Sequence, residues 1–228
     1  MRKWDALPDF MKEEKVRPYY EALNKHRFGL ALKRAVDILL SLLLFVILFP
    51  VMLVIGIVVG VTSKGGVFFC QERITAYGRH FKIIKFRTMV SDAEAKGSQV
   101  TTSGDSRVTG PGRFLRAVRL DELPQLINII KGDMSIVGTR PEVPRYVEKY
   151  TPEMMATLLL RAGVTSKASI AYKDEERLLS AGEDVDRIYV EKVLPEKMQY
   201  NLAYLKDFSL AADFKLMIGT VLAVFRRA

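Results

Sequence analysis

An α+β fold, mostly helical and attached to a membrane, is what the sequence predicts, and three observations carry that prediction. From Ile38 to Ser63 no side chain is charged. "VFFCQERI" (67–74) and "HFKIIKFRTM" (80–89) are short β-type segments joined by "TAYGR", whose Gly78 suits a turn. Several later segments place apolar residues at helical spacing between capping and stop signals. The expected boundaries are 1–30 for a polar arm or interfacial helix, 31–64 for the membrane helix, and 65–228 for the main domain.

Residues 1–30 are polar with scattered aromatics (Trp4, Phe10, Tyr19, Tyr20, Phe28) and prolines at 8 and 18. Five acids (Asp5, Asp9, Glu13, Glu14, Glu21) precede the apolar run, which is not the pattern of a secretory signal peptide. As a straight helix, the uncharged run would reach roughly 39 Å, more than a ~30 Å hydrocarbon core. Pro50 sits near its centre and removes one backbone donor. Basic residues flank both ends: Arg27, Lys33 and Arg34 before, Lys64, Arg73, Arg79 and Lys82 after. A single span would put one basic flank on the wrong side of the bilayer. Folding back at Pro50 leaves two arms of about 13 residues, roughly 20 Å each and too short to cross. A kinked span and a re-entrant helix both fit this segment.

After the hairpin, "SDAEAKGSQVTTSGDSRVTGPGR" (91–113) predicts a long loop. "LDELPQLINIIKGDM" predicts a helix opened by Asp121 and Glu122, with Pro124 in the first turn and Gly132 as the stop. "TPEMMATLLLRAG" (151–163) reads as a second helix, capped by its threonine. "DVDRIYVEKVLPEKMQYNLAYLKDF" (184–208) reads as helical but interrupted at Pro195. The tail "AADFKLMIGTVLAVFRRA" has an apolar face and terminal arginines, suited to a membrane surface or to the core.

The formal charge of +9 favours an anionic partner: lipid headgroups, phosphate-bearing substrates or nucleic acid. Nucleic acid is the weakest of these, because basic residues are dispersed among acids and no nucleic-acid-binding signature occurs. The single Cys70 excludes an internal disulfide and reads as a packed or spare thiol; two histidines do not make a His-rich site.

Asp121 and Glu122 are the centre of chemical interest. Acids opening a helix usually serve as caps complementing the helix dipole. The same position keeps a carboxylate ionised and attracts phosphate oxygens, so an aspartate there could attack phosphorus with a divalent cation offsetting repulsion. Arg140 precedes Pro141, which stiffens its backbone and suits bidentate phosphate binding, or else makes it a surface arginine in a Pro-rich loop. Lys85 and Arg87 share a strand face, which reads as solvated or as anion-binding.

Taken together, "KRAVDILLS", the Phe49–Pro50 pair, "FKIIKFRTM", "DSRVT" and "GRFLRAVRLDELPQLINIIKGDMSIVGTRPEVP" resemble the bacterial sugar transferase family, the small monotopic polyprenyl-phosphate phosphoglycosyltransferases. The resemblance covers about residues 31–222 and is nearly gapless from Arg113 to Pro141. It implies a monotopic membrane protein with a re-entrant helix hairpin broken at Pro50, a short β-hairpin, interfacial amphipathic helices and a cytoplasmic catalytic domain ending in a membrane-associated helix. It implies transfer of a sugar-1-phosphate from a UDP-sugar to polyprenyl (undecaprenyl) phosphate at the cytoplasmic face of the bacterial inner membrane. That is the first membrane step of surface glycan assembly, exopolysaccharide and lipopolysaccharide included. Asp121 would be the nucleophile and a ligand of Mg²⁺ (or Mn²⁺ in its place), with Glu122 assisting as base or metal partner. Arg140, Lys85 and Arg116 would hold substrate phosphate. Dimers occur in the family.

The chain departs from the family at four places. Phe49 replaces the serine common before the helix proline, Ala162 and Lys167 replace a proline and a tryptophan, and Asn201 stands where many members carry an aspartate. These changes leave the sugar undefined. The rival readings are a catalytically silent membrane scaffold of a polysaccharide assembly complex and a basic peripheral protein held by charge alone.

Overall fold

The computed structural model describes residues 1–63, 65–93, 104–172 and 185–225. In chain order the elements are α1 (Arg17–Lys25), α2 (Arg27–Thr62), β1 (Phe68–Thr75), β2 (Arg79–Phe86), α3 (Gly110–Ala117), α4 (Gln125–Lys131), β3 (Met134–Val137), α5 (Pro144–Val147), β4 (Ala162–Thr165), α6 (Lys167–Ala171), α7 (Val185–Ile188), α8 (Leu194–Lys206) and α9 (Leu210–Phe225). Helix predominates, as expected. Lys64, much of the 91–113 loop, the start of the 184–208 segment and the terminal arginines lie outside the described residues.

The apolar run forms most of α2, a single helix of 36 residues. Pro50 lies inside it and not at a break between two helices. A φ near −65° is itself helical, so the local cost is the missing bond to the Val46 carbonyl and crowding against it. Most of α2 faces outward: Leu39, Val46, Leu53, Val54 and Ile57 are exposed. Its inward residues fall into two groups. Lys33, Asp37 and Ser41 are buried near the N-terminal end, Met52, Ile55 and Val59 near the C-terminal end. Lys33 pairs with Asp213 of α9 at 2.7 Å, and Asp37 accepts from Ser135 of β3 at 2.6 Å. Met52, Ile55 and Val59 pack with Phe86 and Leu115. Both halves of the helix therefore rest on one domain.

β1 and β2 form the expected antiparallel hairpin, with Phe69 opposite Lys85 and Glu72 opposite Lys82. A second sheet, unforeseen, pairs β3 and β4 in parallel. This corrects the helix expected over 151–163, where only a 3₁₀ turn at Met154–Leu159 precedes β4. The reason is a backbone contact that helix geometry would not allow. A Cβ on Gly163 would stand 2.1 Å from the Gly138 nitrogen, so two glycines let the strands touch. Thr75 joins the two sheets, donating to the Asp133 carbonyl at 2.7 Å and accepting from the Ala162 amide at 3.1 Å.

Residues 1–25 are docked, and they help build the largest core cluster. Leu7, Met11, Val16, Tyr19 and Leu23 are buried against Ile74, Leu159, Leu205 and Phe208. The interruption expected at Pro195 is a widened π turn, Tyr189–Val193, after which Pro195 occupies the first turn of α8. A proline clashes with the carbonyl four residues back, and the wider turn relieves that clash without ending the helix. The tail forms α9 with Phe214, Ile218, Val221 and Leu222 exposed.

Candidate active site

Asp121 and Glu122 lie in a 3₁₀ turn, Leu120–Glu122, that precedes α4. This corrects the expectation that they open the helix. Pro124 is the N-cap of α4, and the Glu122 amide already donates to the Arg119 carbonyl at 3.2 Å. Arg119 turns the chain into this position with a left-handed backbone, φ 58°, uncommon for a residue with a side chain. Both acids are buried. Their environment therefore comes from side chains brought in by other elements, and the dipole of the short α4 contributes little.

Three elements converge on Glu122. Lys85, near the end of β2, donates to its Oε1 at 3.2 Å. Arg140, from the loop after β3, bonds both carboxylate oxygens, at 2.7 Å to Oε1 and 3.3 Å to Oε2. Arg119 reaches Oε1 at 3.4 Å. The bidentate Arg140 contact is the geometry its pre-proline backbone suggested, although its partner here is a carboxylate. Arg116, in the last turn of α3, acts on Asp121 through its charge. Arg87 does not join the site; it donates to the Gly66 and Phe68 carbonyls and ties down the start of β1.

The support behind these residues explains why they meet. Asn128 of α4 behaves like an added strand, accepting from the Ile84 amide at 3.0 Å and donating to the Lys82 carbonyl at 2.8 Å. That clamp brings Lys85 up to Glu122. Arg73 of β1 donates to the Pro141 carbonyl at 3.1 Å and so fixes the residue after Arg140. Gly163 donates to the Thr139 carbonyl at 2.8 Å, anchoring the same loop from the other side. Sequence reasoning missed Arg73, Arg119 and Asn128. Only for Arg119 was there a signal, a cation next to an acid pair in "VRLDE".

Burial pushes the Asp121 carboxyl above its usual pKa, and the charge of Glu122 adds to that. For Glu122, burial acts in the same direction, but Arg140, Lys85 and Arg119 outweigh it and hold the carboxyl well below the usual range. Lys85 is brought down to about 8, by burial first and by Arg140, with Glu122 opposing. Two adjacent carboxyls with pKa values driven apart can hold different roles. Among the described residues, Lys85, Arg116, Arg119 and Arg140 all act on the two acids, a concentration of positive charge suited to a substrate with several phosphate charges.

Three buried polar atoms of this stretch have no hydrogen-bond partner: Asp121 Oδ1 and both amide atoms of Gln125. Spacing of four residues puts Asp121 and Gln125 on one face of a helical chain. Among the described residues, no group of three or more His, Cys, Asp or Glu gathers to hold a metal. An unpartnered carboxylate oxygen fits Mg²⁺ nonetheless, because that ion commonly takes one or two protein carboxylates and completes its shell with substrate phosphates and water. Asn201, buried on α8, directs its amide to the Met198 sulfur at 3.7 Å.

A family model described as bacterial sugar transferase matches residues 28–227. The chain belongs to the bacterial sugar transferase family. It is 33% identical over 193 residues to UDP-N-acetylgalactosamine-undecaprenyl-phosphate N-acetylgalactosaminephosphotransferase of Aeromonas hydrophila, covering 83% of this chain and 43% of that one. To UDP-glucose:undecaprenyl-phosphate glucose-1-phosphate transferase of Escherichia coli it is 34% identical over 198 residues, 85% of this chain and 40% of the relative. To the Caulobacter vibrioides protein of the same description it is 32% identical over 192 residues, 83% and 68% respectively. The match therefore spans less than half the length of the first two relatives. As a sugar transferase family member, the chain carries the dyad on the segment whose motifs pointed to this family, Arg113 to Pro141.

Proposed function

We propose that this protein is a phosphoglycosyl transferase that moves a sugar-1-phosphate from a UDP-sugar to polyprenyl phosphate, undecaprenyl phosphate being the lipid in the relatives' names. The observation that carries the reading is the state of the dyad. Glu122 is locked as an anion by three cations, whereas Asp121 keeps a buried, unpartnered Oδ1 next to it. A desolvated carboxylate oxygen with nothing to bond is a strong nucleophile once ionised.

In the first half-reaction Asp121 Oδ1 bonds to the sugar-bearing phosphorus, and the bond from that phosphorus to the bridging oxygen breaks. UMP leaves with the electron pair. In the second, an oxygen of polyprenyl phosphate attacks the same phosphorus, the acyl-phosphate bond to Asp121 breaks, and the carboxylate is restored. Arg140, Lys85 and Arg119 stabilise phosphate charge, and Glu122 keeps them poised. Asp121, through the carboxylate oxygen that does not attack, would also hold Mg²⁺ (or Mn²⁺ in its place), which supplies neutralisation of the diphosphate charge when bound. Asp121→Asn removes the nucleophile, so UMP release from a panel of UDP-sugars should fall at least ~10⁴-fold, with no phosphosugar adduct on the protein. Retained release by that variant would move the chemistry elsewhere.

The same reading places the protein on the inner face of the bacterial plasma membrane with α2 dipping into the bilayer. Support comes from its two halves, which both pack on one domain, and from the basic residues at both ends. A helix that crossed would leave one of those contacts on the far side. Tags at the two termini, probed in intact cells, should both be cytoplasmic; a periplasmic N-terminus would restore the crossing helix.

A further inference from the structure

At the end of α4 opposite the dyad, three arginines gather, Arg34, Arg79 and Arg161, and a fourth, Arg27, is linked to them through Met1. Arg34 of α2 donates to the carbonyls of Ile129 and Met134 at 2.9 and 3.3 Å. Arg79, opening β2, donates to the Gly132 carbonyl at 3.3 Å and pairs with Asp133 at 2.8 Å. Arg161 donates to that same Gly132 carbonyl at 3.0 Å. Arg27 bonds the Met1 carbonyl at 3.5 Å, and the charges of Arg27 and Arg161 both act on the Met1 ammonium.

Cations at a helix C-terminus are ordinarily a capping device, but the charges here do not balance. Among the described residues, the helix end offers about half a negative charge and Asp133 and Asp37 one each, against four guanidinium groups, leaving roughly one and a half positive charges. Two arginines share one neutral acceptor. Burial, and then the charge of Arg161, pull Arg34 below its ordinary pKa, as expected where like charges crowd. Arg27 and Arg161 are exposed and Arg79 is half-exposed, so an anion could reach the cluster. Guanidinium forks in this arrangement match phosphate oxygens.

Position then selects the anion. α2 runs from Arg27 and Arg34 straight into its uncharged, outward-facing stretch. Ile38 follows these residues by roughly 16 and 6 Å along the axis, a depth that matches lipid headgroups if the stretch lies in hydrocarbon. Arg79 and Lys85 are six residues apart on β2, roughly 20 Å, so the cluster is separate from the dyad. We propose that Arg27, Arg34, Arg79 and Arg161 form a seat for the phosphate of an anionic phospholipid, of the phosphatidylglycerol type, that fixes how the domain sits on the bilayer. This rests on the membrane reading above but not on the transfer chemistry.

The test uses the whole chain in neutral detergent, with thermal unfolding followed as lipid is added. Phosphatidylglycerol should raise the melting temperature by roughly 3–6 °C at a tenfold excess over its Kd, and phosphatidylcholine should not. The Arg27→Gln/Arg161→Gln variant should lose most of that rise, and Arg27→Lys/Arg161→Lys should keep most of it. UMP release by the Gln variant should match the unaltered protein, so a failed lipid result and a failed transferase result are told apart. An equal rise with phosphatidylcholine, or an undiminished rise in the Gln variant, overturns the proposal. An equal rise with inorganic phosphate makes the cluster a soluble-anion site, and a rise with polyprenyl phosphate alone makes it a substrate subsite; either overturns the lipid assignment. Should the Gln variant not fold, native mass spectrometry of the unaltered chain decides. Retained phosphatidylglycerol that 1 M salt removes supports the seat, and absence of the adduct refutes it.

Discussion

The two ends of α4 handle the same problem, an excess of arginine and lysine, in opposite ways. At the N-terminal end, Lys85, Arg119 and Arg140 are spent on one buried carboxylate, with Asn128 and Arg73 holding the geometry from behind. At the C-terminal end, Arg34, Arg79 and Arg161 are spent mostly on backbone carbonyls near the surface. Burial raises both the cost of an unpaired charge and the strength of a paired one. Exposure leaves charges screened and available. One end is thereby committed to a single geometry, and the other is open to an anion from outside.

The largest effect that sharpens this contrast is the loss of one charge at each end. Glu122→Gln leaves three cations facing one another in a buried site, and about 3–5 kcal/mol of stability should go with it. The melting temperature should then fall by roughly 6–20 °C. Arg79→Gln removes a partner that is 52% exposed, and about 0–1 kcal/mol should be lost. Equal losses at the two ends would mean that burial does not distinguish them.

The contrast also tells what a sequence exposes and what it conceals. The Asp121–Glu122 pair and Arg140 were legible because they sit in one unbroken motif where residue types and order survive without a fold. From strand parity Lys85 was legible only as half of a pair with Arg87, and it was the family resemblance that singled out Lys85. Arg73 and Asn128 carried no signal, since each acquires its role from a partner far along the chain. β3 and β4 were hidden by length, four residues being too few to show a period. The helix expected over 151–163 failed because the demand for two touching glycines comes from the packing and not from the segment itself. Helix α2 was plain from its lack of charge, but which of its residues face the domain was not.

A smaller effect follows from Lys85. Its pKa near 8, against an ordinary value of 10.5, means that the unliganded site loses one of its positive charges in mildly alkaline solution, a charge that the proposed reaction uses to hold phosphate. kcat/KM for UDP-sugar should fall as pH rises through about 8, with the limb moved upward in kcat because bound phosphate favours the charged amine. Stability should move the other way. Between pH 8 and 10.5 the unfolded chain holds a proton on this lysine that the folded chain has released, so raising the pH through that window favours the folded state. Lys85→Arg, with a side chain charged throughout, should flatten the alkaline limb. A limb unchanged in that variant would belong to another group.

The smallest effect concerns Gln125, whose amide is buried without a partner one turn after Asp121. A buried unsatisfied amide costs about 1–3 kcal/mol, and methionine has nearly the same volume without the polar atoms. Gln125→Met should therefore raise the melting temperature by a few degrees while lowering kcat/KM, because an amide retained at a cost to stability beside Asp121 is one that ligand or bound water uses. The paired measurement is what gives the prediction force. A more stable and equally active variant would make the amide a cost without a function. A less stable one would place an ordered water on Gln125 in the resting enzyme, and the unpartnered oxygen of Asp121 would then be read as hydrated rather than bare.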